Sequence, residues 1–342
     1  MNPWDLLLRA WEHLGDAFAD AQQALFEAVL QPAMYHLGLA GYLSEGFNAA
    51  GWLLVGLLQI AVMLAVIAPL QRWRPAEAAA ASGPARRERR QAVGVDVLYT
   101  LIHRLGLFRV AMFFAIDPLW NALFGWLAVQ GFDGWHLEQW VAPWWPGVTD
   151  TPLAAFLVYL VALDGVNYAL HRAQHQFGWW WALHAVHHSQ RHLTMWSDSR
   201  NHLLDSVLVD ALFVVVARAI GVAPEQFVAL VALSQLAENL SHANARLGFG
   251  WLGERLLVGP YFHRRHHAIG LGHESAGQGT LGGCNFAVLF PFWDQLFGTA
   301  DFRHGVEPCG IRDQLPEEGA RDYGRGFWAQ QRLGLLRLFG RA

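Results

Sequence analysis

The sequence predicts an all-α protein, a polytopic membrane helical chain with a histidine-rich two-metal site facing the cytoplasm. Three observations predict this. Hydrophobic residues fill 54% of the 342 positions and charged residues only 15%, against roughly 25% charged in soluble domains. Apolar runs reach membrane length, and the histidines are numerous and clustered: of 17 in all, 12 fall between His171 and His273. This hydrophobicity excludes a disordered chain. All 24 basic side chains are Arg, set against 28 acidic ones for a net charge of −4. No clustered basic face of a nucleic-acid binder is evident. Cys284 and Cys309 are the only cysteines and form no CxxC pair, so no disulfide framework is possible.

Three regions follow along the chain. In residues 1–92 the start is acidic (Asp5, Glu12, Asp16, Asp20, Glu27, Glu45, with Arg9 alone basic). It reads as amphipathic and lacks the basic start of a signal peptide. Residues 49–70 carry no charge, and as a helix they reach about 33 Å, enough to cross a ~30 Å hydrocarbon core. The buried helix of a soluble protein would look similar, but Arg72, Trp73, Arg74 and Pro75 close the run as an interfacial anchor and helix breaker. A linker then carries Arg86, Arg87, Arg89 and Arg90, and positive charge beside a span marks the cytoplasmic side.

Residues 93–300 form the second region. Residues 95–109, with His103, Arg104 and Arg109, suit the interface. Residues 110–130 make a second span that contains Asp117 and Asn121. The loop 131–150 has no Arg and several Trp, as expected on the opposite face. Residues 152–170 return and deliver His171 to the cytoplasmic side. Two runs of 12 residues, 206–217 and 226–237, have a length typical of re-entrant or interfacial segments. Crossing or dipping, such a hairpin returns to the side it left, so His242 and His263 should share a face with His171. The third region, 301–342, is charged and then amphipathic. Its residues 327–339 read as a membrane-surface helix or, failing that, a dimer contact.

The histidines are spaced for helices. His171 and His175 stand at i, i+4 and share one helix face. His184, His187 and His188 stand at i, i+3, i+4, and His263, His266 and His267 repeat that spacing. Each set can aim two or three nitrogens at one place. Neutral imidazole suits Fe, Zn, Cu and Ni. A lone histidine on an apolar face is ordinarily a hydrogen-bonded core residue; eight in three repeating sets are hard to explain that way. The competing class is a histidine-rich membrane metal transporter or sensor. It would place ligands at mid-span along a pathway, whereas here the sets sit at span ends.

The motifs HxxxH, HxxHH and HxxHH resemble the eight-histidine pattern of the fatty acid hydroxylase / sterol desaturase superfamily. The resemblance covers roughly residues 164–299. It takes in Asp164 two turns before the first box with Tyr168 between, Ser189 after the second box, Arg200 and His202, His242 and Asn244, Pro260 before His263, Asn285, and Trp293, Asp294, Phe297, Gly298 and Thr299 at the close. It departs at Leu203, where Pro is usual, and in a Gly-rich stretch carrying an extra His273. Substrate identity is therefore not carried over.

The resemblance implies a non-haem di-iron oxygenase of lipids. Two Fe ions would be held by His171, His175, His184, His187, His188, His263, His266 and His267, with His242 as a ninth ligand. His202, His192 and His273 are lesser candidates. His13, His36, His103, His136 and His304 belong to no motif and read as structural. Asp164 is expected to accept the N–H of a ligating imidazole or, alternatively, to pair with Arg172. Asn244 and Asp294 complete the expected active-site residues, Asp294 supporting the ligands or capping the last element, and Glu238 stands ready for a similar part. With O2 and external electrons, a lipid C–H bond would gain a hydroxyl, or a double bond would form; hydroxylation is favoured, though the boxes do not separate the two. The chain shows no haem motif, dinucleotide fingerprint or ferredoxin cysteines. A separate donor protein is therefore expected, cytochrome b5-like, a ferredoxin or a reductase, docked by Arg264, Arg265 and Arg303 unless these meet lipid headgroups. The expected location is the cytoplasmic (inner) membrane.

Overall fold

A computed structural model describes residues 3–78, 82–271 and 282–342, and among them it contains helices and no strand. His273 lies outside the described residues. The chain opens with α1 (Pro3–Leu25) and α2 (Gln31–His36), joined through a π-helical turn. The next element, α3 (Leu43–Val62), runs through a second π-helical turn, Met63–Ile67, into α4 (Ala68–Trp73). Together they make an apolar helix spanning Ala40–Trp73, long and apolar enough to cross a membrane. Arg74 leaves helical geometry one residue before Pro75, as a residue preceding proline is driven to do.

After α5 (Gly83–Arg104) the chain turns at Gly106, whose φ of 83° favours glycine. The region expected to be a second span, 110–130, is not one helix. It divides into α6 (Leu107–Ala115) and α7 (Asp117–Val129), which break at Ile116. Pro118 is the cause: it lacks an N–H and begins a new helix rather than continuing the old one. Nine and 13 residues are each too short to span alone. Short α8 (Leu137–Val141) follows.

The second helix long and apolar enough to cross is α9 (Pro152–Gln176). Thr151 caps it, its side chain accepting from the Ala154 N–H at 3.3 Å, and Pro152 sets its first turn. Next come α10 (Gly178–His188), α11 (Leu203–Ala219) and α12 (Pro224–Ser241). The last two form a hairpin turning at Gly221, φ 89°. Their facing apolar side chains, among them Phe213, Leu230 and Val231, close a core with Leu160 and Leu163 of α9. The remaining helices are α13 (Gly250–Leu256), α14 (Pro260–His266), α15 (Phe292–Leu296) and α16 (Phe327–Leu338).

The bundle has two distinct ends. At one, Trp135 and Leu137 donate backbone N–H groups to Ala219 and Ile220 in the α11–α12 turn. Trp135, Trp140, Trp144 and Trp145 of that loop stand exposed. At the other end lie the C-terminus of α9, the start of α11 and the end of α12. This is the parity expected from the apolar runs: His171, His242 and His263 share one end.

The C-terminal helix differs from a plain surface helix. Phe327, Gln330, Gln331, Gly334 and Arg337 form a buried stripe against α10, while Trp328 and Phe339 face outward. The inward stripe is mostly polar, which disguises it in a hydropathy reading. A Cβ at Gly334 would lie 2.4 Å from the His202 ring, so only glycine permits this approach.

Candidate metal centre

Nine imidazoles meet where α9, α10, α12 and α14 converge, all of them the predicted ligands. His171, His175, His184 and His188 bring nitrogens within 4.8 Å of one another; so do His187, His242, His263 and His267. His266 joins His188 and His267 in a third grouping between the two. The boxes therefore do not each serve one place. In an i, i+3, i+4 set the first and last members project together and the middle one is turned aside. Thus His184 and His188 enter the first cluster and His187 the second. In the repeat, His263 and His267 enter the second cluster, and the His266 ring packs 4.5 Å from His171.

The backbone and one carboxylate orient the rings. His171 Nδ1 donates to the Phe286 carbonyl at 2.8 Å, His266 Nδ1 to Cys284 O at 2.7 Å, and His242 Nδ1 to Glu238 O at 2.7 Å. His184 Nδ1 donates to Asp205 Oδ2 at 3.1 Å. A neutral imidazole that donates through Nδ1 presents a lone pair at Nε2. These lone pairs turn inward. His242 Nε2 lies 3.1 Å from His187 Nε2 and 2.9 Å from His263 Nε2, and His263 Nε2 lies 3.1 Å from His267 Nε2. His242 cannot donate to either neighbour, because its proton is on the other nitrogen.

Four buried Nε2 atoms converging on one place, with that of His242 already free of its proton, suit a cation. Nitrogens held ~2.0–2.1 Å from one metal and roughly at right angles stand about 3 Å apart, close to the spacings seen. His184 Nε2 is likewise buried with no hydrogen-bond partner. The residues present therefore fit two adjacent metal ions with all-imidazole donors. Neither thiol joins these groupings, which among the described residues are histidine alone; burial pushes Cys284 and Cys309 up to about 12.

The other predicted residues take different places. Asp164, expected to hold an imidazole, instead accepts the backbone N–H groups of Leu289 at 2.8 Å and Phe290 at 3.0 Å. Two turns from His171 it faces the loop, not the rings, and it steadies the strip of chain that carries Phe286 O. Asp294 has a parallel task, accepting from Phe286 N, Ala287 N and Thr299 Oγ1. The Asp164→Ala variant should lose about 1–3 kcal/mol for each backbone donor left buried. Thermal unfolding in detergent checks this; an unshifted midpoint would show the loop is held elsewhere.

Asn244 lies outside both clusters. It exchanges hydrogen bonds with the Glu77 backbone and receives Arg264 Nη2 at 3.4 Å. Glu77 is partly buried, which works against its charge, yet His192 and Arg264 hold its carboxyl below the usual range. Glu238 supports His242 through its carbonyl rather than its carboxyl. His202 is no ligand: its Nδ1 accepts from Leu204 N at 3.1 Å as the cap of α11, and its Nε2 donates to Gln331 O at 2.9 Å. His202→Ala should cost about 1 kcal/mol as a lost cap while bound metal stays at the native level. Metal analysis of the purified variant checks this. Arg264 and Arg265 are buried, paired with Glu77 and with Asp301 and Glu307. They cannot dock a partner. Of the three arginines expected to do so, only Arg303 is exposed, and it pairs with Asp301 at 2.6 Å.

Sequence reasoning missed Asp205. Only 1% exposed, it accepts from Gln174 Nε2 at 2.8 Å, Trp180 Nε1 at 2.7 Å and His184. The available signal was an acidic residue in the first turn of a helix following the second box.

The fatty acid hydroxylase family model matches residues 156–299, the stretch that holds both clusters and their supporting loop. That stretch is a fatty acid hydroxylase domain. Relatives of this hydroxylase domain include the ornithine lipid hydroxylase OlsE of Rhizobium tropici, 26% identical over 205 residues, covering 60% of this chain and 56% of that protein. The fatty acid hydroxylase vlmA of a Lecanicillium species is 26% identical, covering 49% of this chain and 47% of its own. The alkylglycerol monooxygenase of Caenorhabditis elegans is 24% identical, covering 53% and 32%. The chain thus spans between about a third and just over half of these relatives' lengths. No solved structure matches.

Proposed function

We propose that the chain is a membrane-bound di-iron oxygenase that hydroxylates a C–H bond of a lipid. The observation that carries this reading is the pair of adjacent, buried, all-imidazole clusters opening on one internal cavity. The family-model match over residues 156–299 and similarity to three lipid-oxidising relatives support it. The overall change is R–H + O2 + 2e⁻ + 2H⁺ → R–OH + H2O, the electrons coming from a separate donor protein. When bound, two irons would supply the O2 and electron chemistry.

The remaining work falls to the chain. His171, His184, His242 and His266 keep their protons on Nδ1, held by carbonyls or Asp205, so that each Nε2 stays available to a metal. Phe213, Val231 and Val288 line the cavity beside the rings and exclude water from the reacting carbon. The helices spanning Ala40–Trp73 and Pro152–Gln176 seat the protein in the bilayer. The site is assigned to the cytoplasmic side of the inner membrane. Arg74 shares its end of the fold, its carbonyl accepting the Arg246 N–H at 2.7 Å, and Arg86, Arg87 and Arg90 stand exposed nearby in sequence.

The test is comparative lipidomics of cells expressing the native chain or the His187→Ala form. One lipid class gaining 16 mass units only with the native chain is expected. A loss of 2 units would make the enzyme a desaturase. Unchanged lipids with altered metal uptake would replace the reading with a transporter.

A further inference from the structure

The cavity beside the clusters has a volume of about 220 Å³ and lies among α9, α11 and α12. His171, His184, His187, His242 and His263 form its floor. Leu170, Val209, Phe213, Val231 and Val288 give it apolar walls, but α12 also lines it with Ser234, Gln235 and Glu238. Four acidic residues line it in all, and three are already engaged. Asp198 pairs with Arg104 at 3.2 Å, Asp210 pairs with Arg109 at 2.6 Å, and Asp205 holds Gln174, Trp180 and His184. Among the described residues the Glu238 carboxyl has no hydrogen bond or ion pair of its own. It lies deep in the bundle yet retains open surface, and the space it opens on is this cavity.

Its oxygens reach the cavity with no competing partner, so a polar group entering that space meets an available carboxyl acceptor. We propose that Glu238 is a specificity-determining residue that accepts a hydrogen bond from a hydroxyl, amide or amine of the lipid, next to the carbon that is oxidised. This rests on the hydroxylase reading and names its substrate class: a lipid attacked beside its polar group, not in the middle of an alkyl chain. Geometry supports the placement. Glu238 stands one helical turn before His242, about 6 Å along the axis, so a donor bound to it leaves carbons two or three bonds away over the second cluster. Size agrees, since 220 Å³ equals roughly seven waters at ~30 Å³ each. That admits a polar group and a few carbons, with the tail running outward between the helices.

The test uses the full chain in detergent, loaded with iron and supplied with a reductase and ferredoxin. Three probes of equal length are compared: a long-chain primary alcohol, a primary amine and the unsubstituted alkane. Native protein should favour the alcohol or amine over the alkane by at least about 100-fold, as sites built around a polar contact do. Glu238→Leu should abolish that preference while iron content stays native. Glu238→Gln should keep preference for the alcohol and lose it for the amine if the native donor is a hydroxyl; loss of both marks an amine. Tandem mass spectrometry of the native product provides a reading independent of variant folding, with oxygen expected within three bonds of the polar atom. Mid-chain oxygen, or an unchanged preference in Glu238→Leu with iron intact, overturns the proposal while leaving the hydroxylase reading standing. Native protein that binds iron but oxidises no lipid defeats both.

Discussion

His187→Ala should abolish lipid oxidation while the protein still inserts into membranes. His187 is the one member of the second box that is turned into the second cluster, where its Nε2 faces His242 Nε2 at 3.1 Å. Removing it deletes a ligand from one cluster and leaves the four residues of the other in place. On the proposed di-iron reading, bound iron should fall from two per chain to one or fewer, and turnover should drop by more than the 10–100-fold that loss of an outer supporting group produces. Iron analysis and lipid assay of the same preparation check both. Turnover that survives at native iron content would remove His187 from the ligand set.

Asp205→Ala should be the most damaging change away from the rings themselves. Its carboxylate fixes the proton of His184 on Nδ1 and also satisfies Gln174 and Trp180. Without it three buried donors lose their acceptor, at about 1–3 kcal/mol apiece, and His184 is free to rotate or change tautomer. A 10–100-fold loss in metal affinity or activity is expected. Asp205→Asn separates the two effects. It retains an acceptor but not the charge, so stability should recover more than metal affinity does. Metal titration against a competing chelator, beside thermal unfolding, measures the split. Equal recovery of both would mean that Asp205 acts only as a packing group.

The ligand candidates were legible because helical spacing is local: an i, i+4 pair meets whatever the rest of the fold does. The same locality explains what was not legible. Which cluster each histidine joins depends on how α10 and α14 are rotated toward each other, and no pattern within either box states that. Asp164 and Asp205 were exchanged for a similar reason. Asp164 has the conspicuous position before the first box, but α9 turns it to the Leu289 and Phe290 amides. Asp205 is separated from His184 by a loop whose path the sequence does not display. The 110–130 region failed on a local signal that was present, since Pro118 stands inside the apolar run. Arg264 and Arg265 resembled a surface patch because their partners, Glu77, Asp301 and Glu307, are remote in sequence.

Each HxxHH turn is divided: two rings enter one cluster, and the third goes to the other cluster (His187) or to the grouping between them (His266). Neither cluster can be built without fixing the turns that also build its neighbour. Filling one therefore organises the other in advance, so occupancy should rise steeply over a narrow range of free metal rather than in two separate steps. Loss of the second box would injure both places at once, whereas His171 and His175 serve the first cluster alone.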